Sequence, residues 1–422
     1  MKTVHRLSII FIAAIAALQA WAADPMATTY SWSDCQGTFK PYPQPETEGI
    51  VPDSLAPLMI NHVGRHGARY ASSPRAASRL RKALTDIEEN RGGLTPLGRQ
   101  LAAITDRVIE ASSGRWGSLS QLGMAEQRGI ASRMFKAYRP LFTEGRVNAI
   151  SSYSPRCIMS MYEFVHQLSR LDNDINVTTL SGRATSPLMR FFDGNTEFKE
   201  YLESDELRQT ISNYEIQMTP LDPMLRLMAK PAIADATEAR KLVSDEFDVL
   251  TGLEAISMSC KASDFFTTEE QNALWSCANF SHYMKRSANT LSTLPADIAA
   301  PLLRELVASF ERFIENPQSE AAVQLRFGHA ETLMPLLALM RLQGCYYLTR
   351  YYDTVGKNWC DFHVTPMAAN LQLILFRSNS GRLYIKALLN ETAVPLIPGK
   401  PDIYVSWPEA RDYLNRCTDF IL

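Results

Sequence analysis

The sequence predicts an α/β fold in which a sheet is flanked by helices and interrupted by a mainly α-helical insertion. Three observations carry that prediction. Strand-like apolar runs at 57–66, 147–152 and 321–328 alternate with stretches of helical periodicity. From about 185 to 290 the strand signal fades and helical spacing dominates. Residues 371–389 read as an antiparallel hairpin, with a turn at Ser378-Asn379-Ser380-Gly381 between two apolar runs.

The elements follow in order. Met1 to Arg6 carry a small positive charge, Leu7 to Leu18 are almost wholly apolar, and Ala20-Trp21-Ala22 has the small-x-small form of a signal-peptidase site. Residues 1–22 are therefore expected to be a secretory signal peptide, because the apolar run is too short to span a bilayer. The chain is expected to cross the inner membrane and to work in the periplasm or outside the cell. Residues 23–56 read as an irregular lead-in and 57–66 as the first core strand. Helices are expected at 75–90 and 95–112; in the second, Thr95 is the N-cap and Pro96 takes the first helical position. Ser120 can cap a helix running to about 139. A strand at 147–152 leads into a helix at 156–170. Helices at 196–214, 236–251 and 268–288 fill the insertion, and another at 297–315 returns to the core. Strands at 321–328, 372–377 and 382–387 extend the sheet, and 407–417 closes the chain as a helix. The domains are then an N-terminal α/β core segment at 23–180, the helical insertion at 181–290, and a C-terminal α/β core segment at 291–422.

Lysine and arginine number 43 against 45 acidic residues, for a net charge of −2. Losing Lys2 and Arg6 makes the protein two units more negative. Such a chain has no bulk attraction for nucleic acid or anionic membranes, and no membrane span is expected. A polyanionic partner would need a local positive basin. Arg65, Arg69 and Arg75 offer one, whereas Arg79, Arg81 and Lys82 read as a solvated helix face. Export permits disulfides. The seven cysteines leave at least one thiol unpaired, with Cys157 the buried candidate. Cys260 and Cys277 are the nearest pair and could clip a loop. No zinc-type spacing is present, so neither metal nor cofactor is expected.

The most informative segment is Asn61-His62-Val63-Gly64-Arg65-His66-Gly67-Ala68-Arg69-Tyr70. Two arginines bracket a histidine at the end of the first strand. In open α/β sheets ligands bind at the carboxyl ends of strands. Guanidinium forks match phosphate oxygens, and an imidazole can accept a phosphoryl group. A second strand-like run, Val323 to Gly328, ends in His329-Ala330-Glu331 and an apolar helix. His329 would sit at the helix start, where free N–H groups favour an anion. His62, on the strand, reads as a core histidine. His166 and His282 read as structural or exposed, and His363 is assigned nothing.

Together these pieces resemble the histidine phosphatase superfamily. The triplet His329-Ala330-Glu331 resembles the multiple inositol polyphosphate phosphatases, which are phytases of the clade-2 histidine acid phosphatases. Three further segments are similar to that family: Leu119-Ser120-Gln121-Leu122-Gly123, Ser152 to Ser160 with Arg156, and Met189-Arg190-Phe191-Phe192-Asp193. The matches run in the expected order from about 60 to 332. Many members have proline two residues after the second arginine; Ala71 stands there, which bears on the shape of the access loop.

The resemblance implies a central, mostly parallel sheet and a phosphomonoesterase that needs no cofactor. His66 would be the nucleophile. Arg65, Arg69, Arg156 and His329 would hold the phosphate oxygens. Glu331 would protonate the leaving group and then activate water. Arg190 either contacts distal phosphates or pairs with Asp193. The implied substrate is a small polyanion, an inositol polyphosphate with phytate first. The alternatives are a broad acid or sugar phosphatase and a non-catalytic binder of phosphate esters.

Overall fold

The structure, a computed structural model, describes residues 29–43, 45 and 51–419. The described residues from Ser31 onward belong to one unit. The expected signal segment lies outside the described residues.

The first strand, β1 (Leu55–Arg65), sits inside the sheet because it is apolar on both faces, and its last seven residues are all buried. Its neighbours are β4 (Val323–Gly328), parallel, and β5 (Asn370–Ser378), antiparallel. Beyond β4 lie β2 (Arg146–Ser151) and β3 (Asn176–Ser181), both parallel. Beyond β5 come β6 (Leu383–Leu389), β7 (Thr392–Val394) and β8 (Tyr404–Ser406), all antiparallel. The sheet order is β3-β2-β4-β1-β5-β6-β7, with β8 also on β6. The site-bearing half is thus parallel, and the hairpin read from 371–389 supplies the antiparallel extension.

Helices α1 (Arg75–Asn90), α2 (Pro96–Ser112), α3 (Gln121–Ala137) and α4 (Pro155–Leu171) flank the sheet, and α2 and α3 start at side-chain caps. Thr95 Oγ1 accepts the Gly98 N–H at 3.1 Å and Ser120 Oγ accepts that of Gly123 at 3.2 Å. Between β3 and β4 the described chain contributes no strand to the sheet. Its main helices include α5 (Ala236–Thr251), α6 (Thr268–Arg286) and α7 (Ala300–Glu315). Helix α8 (Ala330–Leu339) follows β4, and Trp407–Asp419 is helical at the C-terminal end.

Several local readings need correction. The stretch 196–214 is two helices, Thr196–Glu203 and Asp205–Met218, because Ser204 turns extended and caps the second. The helix expected from 297 begins at Ala300, after a separate turn at Leu294–Asp297. Strand β3 carried no legible signal: as an edge strand it alternates exposed with half-buried positions and has no fully buried face. Cys260 and Cys277 are not bridged; the Cys277 thiol lies 3.7 Å from Thr219 Oγ1 instead. Cys157 is buried and unbridged, as read, and its thiol donates to the Gly328 carbonyl. His62 is buried between Phe164 and Phe327, and burial lowers its pKa to about 3, as suits a core histidine.

Candidate active site

Register builds the site. In the parallel half, Arg65 lies opposite Gly328 and Ser151 opposite Phe327. Three strands therefore end on one line, and the residues just past them, His66, Ser152 and His329, converge. Helices α4 and α8 start directly beyond, adding the positive ends of their dipoles.

The loop after β1 is gripped at its backbone. Gln127 Nε2 donates to the Arg65 carbonyl at 3.0 Å, Ser120 Oγ donates to that of Ala68 at 3.0 Å, and Glu126 Oε2 accepts the Ala68 N–H at 2.6 Å. From α4, Ser160 Oγ accepts the Gly67 N–H at 3.1 Å. Helix α3 comes this close only because glycines meet: a Cβ on Gly67 would lie 2.4 Å from the Gly123 oxygen, and one on Gly123 would lie 2.2 Å from the Ala68 oxygen. Ala71, in the place of the family's proline, is held by backbone bonds, Tyr70 N–H to the Ser118 carbonyl and Gly117 N–H to that of Ala71.

His66 is buried, and its Nδ1 lies 2.9 Å from the Gly67 carbonyl. A carbonyl only accepts, so Nδ1 carries the proton and Nε2 keeps its lone pair. Burial first, then Arg65, Arg69 and Arg156, holds the imidazole pKa well below its ordinary value. His66 is thus a neutral ring with a fixed tautomer.

The cations around it are crowded. Burial lowers Arg65 to about 10 and Arg69 to about 9, with Arg156 adding repulsion at both. Arg65 Nη1 donates to the carbonyls of Thr38 and Thr365 at 2.6 and 2.7 Å. Arg69 lies over the Phe39 ring, 5.3 Å from its centre. The Nε atoms of Arg65, Arg69 and Arg156 are buried without a hydrogen-bond partner. Buried donors crowded by like charge suit an anion with several acceptor oxygens.

His329 stands 5.8 Å from His66, ring centre to ring centre. Its Nδ1 faces Arg156 Nη2 at 3.2 Å, and its Nε2 faces Ser152 Oγ at 2.8 Å and Arg190 Nη1 at 2.9 Å. Burial, then Arg156 and Arg190, lowers it to about 3. Its backbone N–H donates to Thr332 Oγ1, which donates in turn to the Met189 carbonyl. Glu331, one residue into α8, has its Oε1 3.8 Å from Arg286 Nη2. Burial pushes its pKa up, but Arg286, His329 and Arg65 outweigh that and hold it down at about 2.

Arg65, His66, Arg69, Arg156 and Glu331 all line one cleft of about 420 Å³. His329 touches it through Arg156. Of its two expected roles Arg190 shows the pairing with Asp193, at 2.6 Å, and its Nη1 also reaches His329 Nε2 at 2.9 Å. It therefore stands with the central cations. Sequence reasoning missed Arg286, the Thr38 and Phe39 contributions of the lead-in, and the His282–Asp361 pair. His282 Nδ1 lies 2.8 Å from the fully buried Asp361 carboxylate, which also accepts from Trp275 Nε1; all three residues line the cleft. An arginine ending a helix looks like ordinary dipole compensation, so Arg286 carried no separate signal. Among the described residues no cluster of three or more His, Cys, Asp or Glu could hold a metal, and no helix is long and apolar enough to cross a membrane.

Comparison with known proteins places the chain in a family and fold. The sequence model of the histidine phosphatase superfamily (branch 2) matches residues 59–390. Multiple inositol polyphosphate phosphatase 1 of Homo sapiens is 24% identical over 396 residues, spanning 85% of this chain and 79% of its own length. The namesake from Gallus gallus is 25% identical over 364 residues, 81% and 78% of the two chains. Among solved structures, the Bifidobacterium longum multiple inositol polyphosphate phosphatase in complex with inositol hexasulfate superposes with a TM-score of 0.76 at 16% identity, covering 90% of this chain and 97% of that one. The phytase from D. castellii gives 0.69 at 16% identity, covering 96% and 90%.

Proposed function

The chain belongs to the histidine phosphatase superfamily (branch 2), and from that premise we propose that it removes phosphate from inositol polyphosphates, phytate first, through a phosphohistidine on His66. One observation carries the reading: a neutral, buried His66 with Nε2 free stands among arginines whose buried Nε atoms lack partners. The names of the relatives and of the aligned structures support the choice of substrate.

In the proposed first step the Nε2 lone pair attacks phosphorus as the bond to the ring oxygen breaks. Arg65, Arg69, Arg156 and His329 hold the equatorial oxygens, and positioning plus charge stabilisation supplies most of the rate. Glu331 gives a proton to the departing oxygen. In the second step Glu331, now ionised, takes a proton from water, whose oxygen attacks phosphorus and restores His66. Arg190 Nη1 at His329 adds to the cations around the scissile phosphate. Residues 1–22 direct the chain out of the cytoplasm, and helices between 181 and 290 supply part of the cleft lining, among it Phe247 and His282.

Two measurements test the reading. Rapid quench with labelled phytate is expected to trap label on His66, and time-resolved product profiles are expected to show stepwise loss of phosphate from the ring. Binding without release of phosphate would make the protein a binder. Equal turnover of phytate and simple sugar phosphates would make it a broad phosphatase.

A further inference from the structure

Glu331 poses a chemical problem that its surroundings answer. A general acid must hold a proton when the leaving oxygen departs, yet this carboxyl sits at about 2. The charged and titratable groups facing it are His329 from its own turn, Arg65 and Arg69 from the end of β1, Cys157 from α4 and Arg286 from α6. Cys157 is kept as a neutral thiol by burial. Arg65, Arg69 and His329 belong to the set proposed to grip the scissile phosphate. Arg286 is the cation that lies outside that set.

Its geometry is that of a partner held loosely. The closest approach to Glu331 Oε1 is 3.8 Å, an ion pair beyond hydrogen-bond length. The Arg286 side chain is only 20% exposed, against 40% for Glu331, and its guanidinium lies 5.8 Å from the centre of the Phe198 ring. It comes from α6, the helix that also places His282 and Ser281 on the cleft. A long side chain anchored on that wall can turn from the carboxylate to an anion entering beside it.

We propose that Arg286 is a positioning residue that links substrate class to acid chemistry: it pairs with Glu331 in the free protein and is drawn off by a phosphate next to the scissile one. The inference rests on the functional reading above and deepens it. Once Arg286 turns away and the substrate's negative charge arrives, Glu331 takes up a proton from solvent hydronium or from a monoprotonated substrate phosphate. It passes that proton to the ring oxygen as the P–O bond breaks and the bond from His66 Nε2 to phosphorus forms. A monophosphate brings no neighbouring group, so Arg286 stays on Glu331 and the acid is poorly protonated. Selectivity for a crowded polyphosphate then follows from proton supply as well as from affinity.

The test is the pH dependence of single-turnover phosphorylation, started by pH jump between about pH 2 and 8, on phytate and on glycerol 2-phosphate. It compares the wild-type full chain with Arg286→Gln and Arg286→Lys. With glycerol 2-phosphate, Arg286→Gln is expected to move the basic limb up by about one pH unit or more, because a full neighbouring charge is lost. With phytate the limb moves less, KM rises, and the preference for phytate in kcat/KM falls about tenfold. A limb that stays put with glycerol 2-phosphate overturns the proposal. So does an equal fall on both substrates at every pH, which marks a purely structural arginine. Arg286→Lys keeps the charge on a shorter stem and carries the test if the glutamine variant does not fold: the limb then moves up by less, and an unmoved limb again overturns the idea. A wild type inert on phytate but active on glycerol 2-phosphate refutes the functional reading, while the limb on glycerol 2-phosphate still decides whether Arg286 controls Glu331.

Discussion

The strand-end floor of the cleft and its helical wall treat charge in opposite ways. On the floor, Arg65, Arg69 and Arg156 have no carboxylate within ion-pair distance among the described residues, and each has a buried Nε without a partner. On the wall His282 pairs with Asp361, and the neighbouring helices hold two further pairs, Arg79 with Asp245 and Arg226 with Glu270, although the buried Glu246 stays unpaired. Buried charge is costly unless compensated. Three crowded cations left open on the floor suit an external anion. The two regions meet at Arg286 and Glu331, the loose pair that joins a wall helix to the floor.

The comparison breaks most visibly at His66. Replacing it with alanine is expected to cut phytate turnover by roughly 10³-fold or more, since the nucleophile itself is gone, with little change in thermal midpoint. The matching wall variant, His282→Ala, should leave turnover of a small aryl phosphate within a few-fold of wild type. Comparable losses in the two variants would erase the distinction between floor and wall.

Next in size is Glu331→Gln. Phosphorylation by an inositol phosphate should slow by about 10²- to 10³-fold, because its alkoxide needs a proton to leave, whereas an activated aryl phosphate should slow far less in that step. Burst kinetics separate this step from dephosphorylation, which Glu331 also serves. Equal slowing of the phosphorylation step on both substrates would remove the acid role.

A smaller effect is expected for Arg190→Ala. Because Arg190 Nη1 reaches His329, kcat/KM should fall on phytate and on a monophosphate alike, by roughly tenfold. A rise in KM confined to phytate would move Arg190 outward, to a purely distal contact.

The smallest effect concerns stability alone. On the wall, Glu246 is buried with both carboxylate oxygens unpartnered, and burial, partly offset by Arg226, raises its pKa from 4.5 to about 8. The folded state therefore disfavours its ionised form. Stability is complete below about pH 4.5, falls as pH rises toward 8, and levels off beyond. Glu246→Gln should be neutral at pH 4 and stabilise by a few kcal/mol at pH 8, seen as a higher thermal midpoint with unchanged kcat. A midpoint gain that is the same at both pH values would show that Glu246 does not titrate in this range.

The sequence by itself determined the α/β class, the strands bearing Arg65 and Gly328, the helices capped by Thr95 and Ser120, and the residues His66, Arg69, Arg156, His329 and Glu331. These were legible because apolar periodicity and caps are local, and because the chemistry is written in short contiguous motifs. What lay beyond reach depends on groups that meet only in the folded chain. Parallel register brings Ser151, Gly328 and Arg65 to one edge, and that alignment is a property of the sheet. The Gly67–Gly123 contact joins two glycines that look ordinary in their own segments. Arg286 and Glu331 are 45 positions apart in sequence and 3.8 Å apart in space. Strand β3, exposed along an edge, left no periodic trace. Tertiary structure alone decided which charges found partners and which stayed open, because pairing depends on distances of a few ångströms that no local pattern encodes.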